Sequence, residues 1–148
     1  MRLRIAAALA GALAFSGPAW TAPVQDAAPP SAAAPPLAAN GVFNRLAAAS
    51  VRASRAAGHL ITIESSDYSP LSAELTVAAV RTASEAIEQL AQAPDGRRQM
   101  VGLSEIRIID GQAPRARLAN GALILTIDVA MGSSGGPSSD QIILAISH

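Results

Sequence analysis

Midway along this chain the spacing of apolar residues changes period, and no other feature limits the fold as tightly. Across residues 70–92, Leu71, Leu75, Ala79, Ala83, Ile87 and Leu90 recur at steps of three and four, while Glu74, Arg81, Glu85, Glu88 and Gln92 fall on the opposite side. This is the pattern of a helix with one buried face. Ser69 stands as its N-cap and Pro70 at its first helical position, where the missing N–H costs nothing, and Pro94-Asp95-Gly96 closes it. From Leu103 onward the period is two. Residues 103–109 read as a strand. Residues 112–118 read as a second one, which Pro114 restricts to an edge, a bulge or a loop. Residues 122–131 give the clearest strand, with Leu123, Leu125, Ile127, Val129 and Met131 on one face. A flexible loop over 132–140 then leads to a closing strand over 141–147. Asp110-Gly111 and Asn120-Gly121 both suit tight hairpin turns.

Upstream, residues 42–57 predict a helix with Phe43, Leu46, Ser50, Ala53 and Ala57 on one side. Alanine buries little at roughly 25 cal/mol per Å² of apolar surface, so this helix is expected to dock weakly. Gly58 stops it, and residues 59–65 form a short β-branched strand. The expected fold is α+β in two layers: one long amphipathic helix on a mostly antiparallel sheet of four to five strands, preceded by a short N-terminal helix.

The first residues read as an export signal. Arg2 and Arg4 precede an uninterrupted apolar or small run over residues 5–15, which Ser16, Gly17 and Pro18 end. A transmembrane helix needs about 20 apolar residues, so this run is too short to span a bilayer. Cleavage is expected after Ala19, with Ala22 as the alternative; the latter would put Trp20 at a small-residue position. Residues 20–40 are Pro/Ala-rich and nearly uncharged, a disordered linker in expectation. Residues 41–148 make a single domain. The mature product is expected to be soluble, without a transmembrane helix, and located in the bacterial periplasm or secreted.

Composition removes several functional classes. The chain has no cysteine, which excludes disulfides, thiolate metal sites and cysteine nucleophiles. All eleven basic residues are arginine, so a Schiff-base or phosphate-loop lysine is excluded too. Acidic and basic residues balance at eleven each and aromatics amount to 3%, a poor basis for nucleic-acid binding. His59 and His148 and the carboxylates nowhere adopt a metal-binding spacing, so neither metal nor cofactor is expected.

Three sets of side chains remain as candidates. The segment Gly132-Ser133-Ser134-Gly135-Gly136-Pro137 resembles the G-x-S-G-G-P stretch around the nucleophile of chymotrypsin-like serine proteases. That resemblance covers six residues and implies Ser134 as nucleophile, His59 as base and Asp95 or Asp110 as its orienting carboxylate. Arg45, Arg52 and Arg55 form a basic stripe on the first helix, suited to an anionic envelope component. Asp128, in the most apolar strand, merits attention as a carboxylate if buried. About 108 residues cannot build two β-barrels. The expected function is therefore a non-catalytic binding or assembly domain for an unknown envelope protein or anionic envelope component, with strand edges open to another chain. A small hydrolase using Ser134, or a carrier of a small apolar ligand between helix and sheet, is the alternative.

Overall fold

A computed structural model describes residues 3–5, 37–65 and 70–148. Its elements are β1 (Leu3–Ile5), α1 (Leu37–Ala57), β2 (Thr62–Ser65), α2 (Pro70–Gln92), α3 (Gly96–Gln99), β3 (Glu105–Asp110), β4 (Arg115–Ala119), β5 (Ala122–Ile127) and α4 (Ser139–Ser147), with a 3-10 segment over Val129–Ser134. The arrangement is two-layer α+β: helices cover one face of a sheet ordered β1-β2-β3-β5-β4. The expected linker over residues 20–40 and the cap Ser69 fall largely outside the described residues, although α1 already runs from Leu37.

The sheet is mixed rather than mostly antiparallel. β2 pairs with β3 in parallel, β3 with β5 in parallel, and only β1–β2 and β4–β5 are antiparallel. Alternation of side chains fixes the faces but carries no information on strand direction. Asn120 (φ 51°) and Gly121 (φ 77°) make the two-residue turn joining β4 to β5, as their sequence requires. Asp110-Gly111 makes no hairpin, because β5 inserts between β3 and β4. Gly111 instead donates its N–H to the carbonyl of Ile127. Pro114 lies just ahead of β4, an edge strand, where its missing donor costs nothing.

The C-terminal segment is a helix, not the expected strand. Ser138 accepts from the Gln141 backbone N–H at 3.3 Å, while the Gln141 side chain accepts from the Ser138 N–H at 3.0 Å; this reciprocal cap starts α4. Ile142 and Ile146, one turn apart, are buried, whereas Leu144 is 60% exposed. The apolar run fits a strand or a short buried helix equally well, and the cap decides. The long strand also ends early, at Ile127. Asp128 caps the 3-10 segment by accepting from Ala130 N–H at 3.0 Å, leaving Val129 and Met131 exposed.

One core joins both layers. Ile63, Ile106, Ile108, Leu123, Leu125 and Ile127 point from the sheet into the helices, where Leu46, Leu75, Val80, Ile87 and Leu90 meet them. The alanine faces are used between helices: Ala49, Ala53 and Ala57 of α1 and Ala79, Ala83 and Ala86 of α2 are all buried. Ser84 of α2 donates to the Ala49 carbonyl of α1 at 3.1 Å. α1 is thus held to α2 by a polar contact as well as by its alanine face. Small faces permit close approach, and polar contacts supplement the little area they bury.

Candidate functional site

The two sides of the sheet, β4 at one and β2 under the three-residue β1 at the other, are built differently. β4 carries exposed Arg115 and Arg117, follows Pro114 and packs against α4. Charge and proline are the usual guards of a strand edge. β2 has the sequence Thr-Ile-Glu-Ser, and Ile63, Glu64 and Ser65 are all buried. On the side away from β3 it is covered by β1, in antiparallel register Leu3↔Ser65, Arg4↔Glu64, Ile5↔Ile63.

Helix α1 determines where that border begins. Ser50 donates to the Ile61 carbonyl at 2.7 Å, and Ser54 accepts from the Ile61 N–H at 2.8 Å. Both backbone groups of Ile61 are thus met by hydroxyls. Thr62 N–H donates inward, to the Ser104 carbonyl at 3.0 Å. Backbone N–H groups alternate sides along a strand, so those of Ile63 and Ser65 point outward, toward β1.

Glu64 lies on the face of the sheet opposite the helices. Its carboxylate stands 3.2 Å from Arg107 Nε, and its side chain keeps only 10% exposure. Arg107 also donates to both oxygens of Glu105, at 2.8 and 3.2 Å, from the same strand. Hydrogen bonding to Glu105 is the first cause, ahead of Glu64, that raises the Arg107 pKa above its ordinary value. The row Glu64, Arg107, Ile124, Arg117 crosses this face in register. A two-residue spacing by itself puts Glu105 and Arg107 on one face, whereas Glu64 joins them only through strand order.

The residues suggested by the protease-like segment are not brought together. His59 donates from Nε2 to the Leu103 carbonyl, at the end of the parallel strands where β2 and β3 begin. Ser134 is exposed beyond β5, at the opposite end, together with Asp110. Strand β3 has six residues, so roughly 20 Å of strand at 3.3 Å per residue separates the two ends. Asp95 lies after α2 and pairs with Arg98 at 3.6 Å.

Two members of the basic stripe face α2. Arg45 holds Glu74 through its two terminal guanidinium nitrogens, at 2.9 and 2.5 Å, and Arg52 holds Glu88 through Nε and Nη2, at 3.0 and 2.7 Å. These bidentate hydrogen bonds are the first cause that holds both carboxyls below their ordinary pKa. Arg55 sits exposed in the last turn of α1, where a cation offsets the carbonyl end of the helix. Among the described residues, no three His, Asp or Glu side chains group as metal ligands, and no helix is long and apolar enough to cross a membrane.

The model of one protein family, described as a domain of unknown function (DUF4908), matches residues 16–146. No curated protein and no solved structure matches the chain.

Proposed function

The chain belongs to the DUF4908 family, and from that premise we propose that it is an exported, periplasmic or secreted binding or assembly domain. It acts without catalysis, by taking an extended segment of an envelope protein onto the β2 edge. The observation carrying this reading is the pairing of Leu3–Ile5 with β2. Those residues belong to the basic start and apolar run that mark an export leader. Processing after Ala19 removes them and uncovers the β2 edge at Ile63. The contrast with β4 supports the same reading, since only β4 carries the arginines and proline that discourage strand addition.

The test is to purify the protein from its own cell envelope, weigh it under native conditions and follow amide exchange. The expected result is a chain lacking residues 1–19, recovered in a complex in which the Ile63 and Ser65 amides are protected. The Ile63 amide should exchange rapidly once the complex is dissociated. Thr62, whose N–H bonds within the sheet, serves as the reference. A chain that retains residues 1–19 in the envelope, or complexes in which Ile63 and Ser65 exchange freely, would overturn the proposal.

A further inference from the structure

Strand addition at β2 sets three residues of an incoming antiparallel segment opposite Ile63, Glu64 and Ser65, and these positions differ in chemistry. Ile63 belongs to the core, 2% exposed, so the residue facing it lies at the margin of the helix-covered face. Ser65, two residues on, shares that face and is 3% exposed. Glu64 points to the other face and is 7% exposed, its carboxylate in contact with Arg107. In β1 these places are taken by Ile5, Arg4 and Leu3.

Resting on the strand-addition reading above, we propose that the β2 edge selects an extended segment of another protein with the pattern apolar, basic, apolar, and that Glu64 is the residue that selects it. With β1 in place Glu64 is nine-tenths removed from water beside Arg107, so a cation directly opposite on the same face is favoured, and an acidic residue there meets like charge at short range. The flanking positions both fall on the apolar side of the sheet and extend the core by one strand. A second copy of this chain fits less well. Antiparallel pairing of β2 with itself centred on Glu64 sets carboxylate against carboxylate, and centring on Ile63 sets Glu64 against Thr62.

The experiment uses the full chain carrying Arg4→Glu, which turns β1's central residue against Glu64, and two synthetic hexapeptides. One has the sequence of residues 1–6, Met-Arg-Leu-Arg-Ile-Ala, and the other has glutamate in place of its second arginine. Binding is read from the amide signals of Ile63 and Ser65, with Thr62 and Glu64 as internal controls for an intact β2–β3 pairing. The arginine peptide is expected to protect Ile63 and Ser65, and the glutamate peptide to bind about tenfold more weakly or worse, the size of one adverse charge contact. A receptor carrying Glu64→Arg with Arg4 retained, which again sets like charges across the β1–β2 pair, should reverse the order. Equal binding of both peptides overturns the charge selection and leaves strand addition standing. Binding of neither, with the Thr62 and Glu64 amides still protected, overturns strand addition itself. A doubled mass without peptide, with Ile63 and Ser65 protected, shows the edge filled by a second copy and overturns the assignment to another protein.

Discussion

Gly135 has no room for a side chain. A Cβ there would stand 1.9 Å from the Asp128 carbonyl oxygen and 3.1 Å from Leu75, because Asp128 N–H closes the loop onto the Gly135 carbonyl at 2.7 Å. Its neighbour Gly136 has only ordinary contacts, the nearest at 3.7 Å to Ala79. Gly135→Ala should therefore cost about 1–3 kcal/mol as overpacking and lower the melting temperature by several degrees, while Gly136→Ala should leave it nearly unchanged. Thermal denaturation of both variants checks this, and equal losses would show that close approach is not the cause. Gly135 of the protease-like segment thus has a structural use that the sequence does not distinguish from a catalytic one. Glu64 is similarly illegible at this scale. A carboxylate in a β-branched run is visible, but its burial, and the cation opposite, depend on which strands flank it.

Among the elements, α2 is read almost in full from its spacing: Leu75, Ala79, Ala83, Ile87 and Leu90 are buried and Glu74, Arg81 and Glu85 exposed. The last element is not, since its run of apolar residues suits two periods at once. The signal that separates them is the Ser138/Gln141 capping pair. For α1 the sequence supplies the face and misses the attachment, which comes from residues about 30 positions away: Arg45 to Glu74, and Arg52 to Glu88. Both carboxyls are held below their ordinary value of 4.5 by these arginines. A carboxyl whose pKa falls on folding contributes stability above its unfolded pKa, and that contribution fades as the pH drops through the folded value. The attachment should therefore loosen below about pH 4.5. Urea midpoints taken at neutral pH and near pH 3 should fall further for the native chain than for an Arg45→Gln, Arg52→Gln, Glu74→Gln, Glu88→Gln variant. Equal falls would place the acid sensitivity elsewhere. The exposed positions of these pairs keep the effect modest and sensitive to salt.

At the scale of the whole molecule, a single core runs from Leu46 in α1 to Ile146 in α4 and includes β2, β3 and β5. The two parallel pairings tie both halves of the sequence into its centre. Such a body should unfold in one cooperative transition, with helical circular dichroism and the loss of β3 and β5 amide protection coinciding. An earlier step confined to α1 would show that it docks independently. Fold class is legible because the change of period separates helix from sheet. Strand direction is not, because it depends on how the chain returns over the sheet rather than on any local pattern. The hydroxyls of Ser50 and Ser54 at Ile61 have a final consequence. An antiparallel strand on β2 runs toward Ile61 and there meets backbone groups already taken. Its sideways position is fixed by a stop built into the host, so a guest need not carry a registering turn or bulge of its own. Such a border measures a short length of chain from a fixed mark, and a guest shifted by one residue would turn its apolar side chains to the wrong face.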